Sequence, residues 1–493
     1  MSIFSRPSVW FALFAVGGFG LQGVVSNTGA LSVLFPDLPF PIPFINGRTF
    51  HVNISLYWIF AGILGGALFF LRPAGRQGLL QDRLAGGVFC LMAIVAVGLE
   101  GSLVLRYPVG REFLEGPWLF RGGLPVVPFM SAILLLRFCL INGPGKGWTI
   151  ALGSAVGFIV VFAACAAAAV YYTNPALSAA PRFLAFHLIL GAGAELIGIS
   201  LTALLFTKIC RQPGGTAEML AGLGSGLAVI SGGLGLLQYW LWPGDWLAIA
   251  AAAGMFLLLY CFPSGIILYL AVRYWRSEDR KSMQPKDEIC FVLLTGSQVF
   301  HWLGAGVGFM LAFPPVSQYI HGTYIASAHS HWALFGAYGL LALALASHIL
   351  FEQLELTAKR VRLFLRGVAL VYAGMLGMGI SLLLTGGLQT YLLRILQAGI
   401  PVSDALLRPY LFVRIGGGMT YMLGSLLCTY VVFRQAWQQR ELLLHGKPKV
   451  DWLPVQDAQL ALLQKQKNAQ HLLERIQMLR ELLTKLSVMR KKY

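Results

Sequence analysis

Charge is scarce in this chain. Only 12% of its 493 residues are charged while 57% are hydrophobic, and the mean hydropathy is +0.71. That composition exceeds what a water-soluble core needs and excludes an ordinary soluble globular protein. Acidic residues are the scarcer sign, 20 against 37 basic, giving a net charge of +17. The lysines and arginines lie between apolar runs and not on one soluble module, so they read as basic loops and exclude a nucleic-acid partner. Seven cysteines, Cys90, Cys139, Cys165, Cys210, Cys261, Cys290 and Cys428, form no CxxC or CxxCH pattern, which leaves no iron–sulfur cluster and no c-type haem attachment. The first apolar run, Trp10 to Val25, has no processing site after it and reads as a retained span.

What is present is a series of apolar segments long enough to cross a hydrocarbon core of about 30 Å. The pattern predicts an all-α polytopic membrane bundle of twelve transmembrane helices, at roughly 8–30, 52–72, 84–104, 119–142, 148–171, 183–208, 218–241, 246–273, 288–314, 323–352, 364–395 and 407–434. Segments following even-numbered spans carry Arg72, Arg76 and Arg83, Lys146, Lys208 and Arg211, then Arg273 to Lys286 and Lys359 to Arg366. This bias places both termini in the cytoplasm. The membrane domain covers 1–435 and a polar, basic linker covers 436–454. Residues 455–493 then return to helix-forming composition, with Leu472, Leu473, Ile476, Leu479, Leu483 and Leu486 on one apolar face. That helix docks on another subunit, lies along the membrane surface, or folds back over its own loops.

The segment Ile320 to Leu350 reads as one long membrane helix with His329 and His331 in its first turns. At about 100° per residue, an i, i+2 pair points to opposite faces, so these imidazoles cannot share one metal. Either each holds a separate haem iron or they are packing histidines. Intramembrane ionisable residues are functional candidates by default. His51, His187, His321, His329 and His331 all fall near the outer ends of spans and converge on one membrane depth. His301 and His348 lie elsewhere in their spans and read as packing or unassigned residues; His445 and His471 lie outside the spans.

The tenth span and its approach, PPVSQYIHGTYIASAHSHWALFGAYG, resemble the large subunit of bacterial nitric oxide reductases, in the haem–copper oxidase superfamily. RTFHVN at the second span, GREFLE at Gly110 to Glu115, HLILGAGAE at His187 to Glu195, YWLWPGDW at Tyr239 to Trp246 and YLFVRIGGG at Tyr410 to Gly418 extend the resemblance over about residues 8–435. The resemblance implies one haem b held by His51 and His331, and a second haem b held by His329. It also implies a calcium near the haem propionates, with Glu115 as a ligand and His321 on the same surface. Arg111 and Arg414 would offset propionate charge. The small residues Ala326, Ala328, Ser330, Ala333 and Gly336 permit close approach of a helix or a macrocycle.

The chain departs from that pattern at one place. The family sets a non-haem iron opposite the second haem, using a histidine and a glutamate on the sixth span and two histidines on the seventh. His187 is present, but Gly191 stands where the glutamate belongs, and the segment Ser231 to Asp245 has no histidine. Glu195 lies two turns beyond His187, about 12 Å along the helix. His187 and Glu195 are therefore the remaining catalytic candidates, and neither a normal non-haem iron nor a copper centre is expected. Three functions follow as expectations. The first is a haem-b electron-transfer or accessory subunit of a respiratory complex, with a cytochrome c-type or catalytic partner. The others are a nitric oxide reductase with an atypical active site and a structural subunit of a membrane complex.

Overall fold

A computed structural model describes residues 7–35, 37, 44–73, 75–105, 117–123, 125–143, 147–171, 190–241, 261–441, 470 and 473–481. All regular secondary structure among the described residues is helical. In chain order the helices are α1 (Pro7–Leu34), α2 (Phe44–Phe70), α3 (Gly75–Val104), α4 (Trp118–Gly123), α5 (Val126–Asn142), α6 (Trp148–Tyr171), α7 (Leu190–Ile209), α8 (Gly214–Leu241) and α9 (Phe262–Trp275). They continue with α10 (Pro285–Ala312), α11 (Pro314–Ile320), α12 (Tyr324–Ser330), a π-helical segment (His331–Gly339), α13 (Leu340–Gln353), α14 (Ala358–Thr390), a second π-helical segment (Tyr391–Ile395) and α15 (Ile400–Gln438). This helical closure is what a hydrocarbon solvent demands, because each backbone N–H and C=O must be satisfied within its own segment.

Among the described residues, nine helices are long and apolar enough to cross a membrane, against the expected twelve, and Val126–Asn142 is a shorter apolar helix. Much of the expected span at 246–273 lies outside the described residues. The chain divides into two compact units, Met1–Leu444 and His445–Tyr493. In the second, residues 473–481 are helical and expose Leu473, Ile476, Met478 and Leu479.

Burial decides which helix is central. In the span Tyr324–Gln353, 89% of the most apolar window is buried, against 39% for Arg76–Leu103 and for Ile400–Gln438. Every residue from Leu340 to Phe351 is buried. A helix that is covered on all sides needs no polar face, which is why this stretch shows no amphipathic pattern. The segments around it pack in a defined order: α10 against the first π-helical segment and α13, α2 against α13 and α1, and α14 against α12 and α15.

The expected single helix at Ile320 to Leu350 is corrected in two ways. Its start is a separate turn, where Gly322 takes φ +78° and the Thr323 side chain caps α12 by accepting from the Ile325 N–H. Only a glycine takes such a φ freely, so the HGT sequence sets where the histidine-bearing helix begins. The helix then widens to π geometry from His331 to Gly339 before resuming as α13. π-helical turns inside α-helices mark functional sites frequently, and this one starts on a candidate ligand.

Candidate functional site

Three helices bring the candidate haem ligands together. His51 on α2 and His331 at the start of the π-helical segment lie with ring centroids 6.1 Å apart and planes inclined by 28°. Phe335, one turn on from His331, lies 5.2 Å from the His51 ring and 5.6 Å from the His331 ring. The His331 Nδ1 sits 2.7 Å from the Ser327 carbonyl oxygen of the preceding turn. An N–H there occupies Nδ1 and leaves Nε2 with its lone pair, the arrangement a metal-bound imidazole needs. On α1 the Gln22 amide nitrogen lies 3.4 Å from His51 Nδ1 as a donor facing an acceptor, so the neutral His51 ring carries its proton on Nε2 in this arrangement and would exchange tautomer to bind a metal there. The orientation of Gln22 is set in turn by Trp58, which donates to its oxygen at 2.9 Å.

His329 leaves the other side of α12. Its Nδ1 lies 2.9 Å from the Gly304 carbonyl oxygen of α10, so its Nε2 is also left as an acceptor. A side chain at Gly304 would meet the backbone of Ala333 at 3.1 Å, which shows how closely α10 approaches the histidine-bearing segment. Gly336 is under the same pressure, since a Cβ there would lie 2.5 Å from Phe300. The small residues of this stretch thus serve helix contact, with Ala328 fully buried.

The residues fit b-type haem at the first position. Two iron–imidazole bonds of about 2 Å each, taken from metal–histidine bonds generally, together with the ring radii, occupy roughly the separation of His51 and His331. Arg414 on α15 supplies a second indication. Its charge lies near both His51 and His331, and no carboxylate is paired with it among the described residues. A cation of this kind inside a bundle is stable only beside an anion, and a haem propionate is one. His329 offers one imidazole with its Nε2 free, which fits a haem held on one side.

Other expected residues are placed differently. His321 is exposed just after α11, and partial desolvation lowers its affinity for a proton. His187, Arg111 and Glu115 lie outside the described residues, as do His445 and His471. Among the described residues no group of three or more histidine, cysteine, aspartate or glutamate side chains is close enough to hold a metal ion.

Glu195 was a catalytic candidate in the sequence, but its partners were not, and a second cluster was not legible as a site there. Glu195 on α7 accepts a hydrogen bond from the Tyr338 hydroxyl and pairs with His301 Nε2 at 3.1 Å. His301, expected as a packing residue, is therefore bound to the one surviving carboxylate of the sixth span. At the basic end of the same helices, Lys208 Nζ lies 3.2 Å from His348 Nε2, and Lys286 pairs with Glu352 at 2.9 Å. Lys208 also stands over the Phe70 ring at 4.8 Å. For His301, Lys208, His348, Lys286 and Glu352 the signal available beforehand was only that these are ionisable residues within or beside apolar runs.

The model of the cytochrome c and quinol oxidase polypeptide I family matches residues 6–420. The chain belongs to that family. It is also 25% identical over 464 residues to a nitric oxide reductase subunit of Stutzerimonas stutzeri, covering 87% of this chain and 94% of that one. Its fold is similar to that of a haem–copper terminal oxidase dimer solved by cryo-electron microscopy, with a TM-score of 0.62 and 13% identity over 88% of this chain and 84% of the other. The protein is thus a polytopic, all-α member of the haem–copper oxidase superfamily, homologous to a bacterial nitric-oxide-reductase-type catalytic subunit. Its metal-ligand set among the described residues is incomplete.

Proposed function

We propose that this protein is a nitric-oxide-reductase-type haem protein with an atypical active site, in a bundle of twelve spans with both termini on the cytoplasmic side of a bacterial inner membrane. His51 and His331 would hold one b-type haem, and His329 would hold a second. Haem at the first position would supply one-electron transfer, and haem at the second would supply a position for a small ligand. The observation that carries this reading is the pairing of the His51 and His331 rings at 6.1 Å, with His329 on the same segment held by a different helix. The chain's own residues set the two environments: Gln22 and Ser327 orient the paired imidazoles, Gly304 orients the third, and Arg414 balances propionate charge. Glu115, Arg111 and His321 belong to a calcium and propionate surface in this reading.

A second reading is favoured by Gly191 and by the absence of histidine from Ser231 to Asp245. In that reading the chain carries electrons, or completes a respiratory complex, without reducing nitric oxide itself. The segment 455–493 then docks on a partner subunit through its leucine face. One experiment separates the readings. Purified protein is assayed for haem by pyridine haemochrome, for carbon monoxide binding after reduction, and for nitric oxide consumption with an artificial electron donor. Two haems b per chain, one of which binds carbon monoxide, with turnover abolished in His329→Ala, support the reductase. Two haems without turnover support electron transfer, and a haem-free protein rejects both.

A further inference from the structure

His51 and His331 meet opposite kinds of hydrogen-bond partner. The partner of His331 Nδ1 is the Ser327 carbonyl oxygen at 2.7 Å, which can only accept, so the proton of that ring is fixed on Nδ1. The partner of His51 Nδ1 is the Gln22 side-chain nitrogen at 3.4 Å, which can only donate. An amide could present its oxygen instead by turning over, and what prevents this lies on its far side. Trp58 Nε1–H donates to Gln22 Oε1 at 2.9 Å, and an indole N–H has no accepting role. Tyr421 stands 3.4 Å from the same oxygen, but a hydroxyl donates or accepts and so tolerates either orientation. Trp58 therefore selects the orientation of the amide.

Packing leaves the indole little room to yield. Gln22 and Trp58 are each 1% exposed. A Cβ at Gly18 would lie 2.6 Å from Trp58 Cβ, and one at Gly339 would lie 2.9 Å from Trp58 Cη2. Helix α1 and the end of the π-helical segment thus both press on this side chain. Phe19 packs edge-on against Trp58 and Tyr421, with centroid separations of 5.3 and 5.8 Å. Among the described residues, Gln22 is the one side chain hydrogen-bonded to the His51 ring.

An imidazole that binds a metal through Nε2 carries its proton on Nδ1, where an acceptor raises its basicity as a ligand. Ser327 gives His331 that acceptor. At His51 the same tautomer would set Nδ1–H against the Gln22 amide nitrogen, two donors facing one another. Turning the amide over relieves this contact but sets its nitrogen against the Trp58 N–H, and a buried donor is again left unpaired. The conflict moves with the amide and is not removed by it. A packing role alone at residue 22 would be filled by leucine, with no polar atom to satisfy.

We infer that Gln22 is a positioning residue that, under the control of Trp58, sets the tautomer of His51 and makes it the weaker of the two axial ligands at the first position. The inference rests on the roles proposed above for His51 and His331. His331 is the constant ligand, and His51 binds against the orientation that Trp58 imposes on the amide. A more basic imidazole favours the oxidised iron, so an imidazole denied its acceptor favours the reduced form. Gln22 and Trp58 together therefore hold the reduction midpoint of this position above that of two fully supported imidazoles.

The test is a spectroelectrochemical titration of the six-coordinate haem in purified full-length protein, for wild type, Trp58→Phe, Gln22→Leu and the double variant. Trp58→Phe removes the indole donor without changing charge, so the amide turns its oxygen to His51 and the midpoint should fall. In the Gln22→Leu background the same substitution should leave the midpoint where Gln22→Leu alone sets it. An unchanged midpoint in Trp58→Phe, or an equal fall with and without Gln22, overturns the inference. If Trp58→Phe does not assemble, Gln22→Glu decides. Its two oxygens accept from Trp58 and from Nδ1–H together, so the midpoint should fall, and an unchanged or higher value overturns the inference. Haem content by pyridine haemochrome tests the proposed function by itself. In a haem-free protein that function fails, and nitrogen magnetic resonance of isotope-labelled histidine, with His51→Ala identifying the signal, decides this inference alone. A proton on Nε2 in wild type and on Nδ1 in Gln22→Glu upholds control by Gln22, and the same tautomer in both overturns it.

Discussion

His51 and His331, 280 residues apart in sequence, place their imidazole rings 6.1 Å from one another, and Phe335 closes one side of the gap. The π-helical turn that begins at His331 is part of this arrangement, since the wider backbone changes the facing of every residue after it. Replacing either histidine with alanine should remove the six-coordinate b-type spectrum and halve the haem content, to one haem per chain. The protein should still assemble, because each substitution leaves the residues of the apolar core in place. Low-temperature absorption spectra of the two variants, with size-exclusion profiles, provide the check. Retention of both haems in His51→Ala would remove His51 from the ligand set.

Arg414 offers an independent test of the same site. Its guanidinium lies near two histidines and has no carboxylate partner among the described residues. If a propionate is its partner, Arg414→Leu should weaken haem retention on the order of tenfold, in line with the loss of other residues that support a metal ligand. The reduction midpoint of the remaining haem should fall, because a nearby positive charge favours the reduced form. A spectroelectrochemical titration showing an unchanged midpoint would separate Arg414 from the haem.

The turn before the histidine-bearing helix is a third point of leverage. Thr323 accepts from the Ile325 N–H and donates to the Ile320 carbonyl at 2.6 Å, joining α11 to α12. Thr323→Ala should cost about 1 kcal/mol, the usual contribution of a threonine N-cap. Gly322→Val should cost more, because φ +78° is strained for a β-branched residue. Thermal unfolding in detergent, followed by tryptophan fluorescence, should rank wild type above Thr323→Ala and Thr323→Ala above Gly322→Val.

The sequence made the membrane class legible because apolar run length alone decides it, and the HSH pair made the central helix legible because ionisable residues are rare in such runs. The turn at Gly322 was hidden within an apolar stretch whose hydropathy does not change there. The π-helical segment was hidden for a related reason: its residues, HWALFGAYG, are as compatible with α-helix as with the wider turn. His301 was harder still. Nothing local distinguishes it from a packing histidine, and its significance comes from Glu195, 106 residues earlier and on another helix. Pairing across helices is a tertiary fact that periodicity along one helix does not contain. His348 was missed in the same way, since its contacts come from Lys208 on α7 and Phe70 on α2.

The remaining prediction concerns metal stoichiometry. A first-row metal beside the His329 position would need several nitrogen or oxygen donors converging from neighbouring helices. Gly191 has no side-chain donor, and Leu236, Leu237 and Gln238 occupy the stretch where paired histidines belong in the related reductases. Glu195 is the one carboxylate of the sixth span, and its oxygen is already engaged by His301 and Tyr338. Iron measured by mass spectrometry on fully haem-loaded protein should therefore equal the haem content, with two irons per chain and no stoichiometric copper. His187→Ala should leave that ratio unchanged, because a single imidazole contributes too little to hold a divalent ion against dissociation. The opposite result is specific: a third iron per chain, located by anomalous scattering beside the haem on His329 and lost with turnover in His187→Ala, would restore a conventional binuclear centre built from donors outside Glu195, His301 and Tyr338.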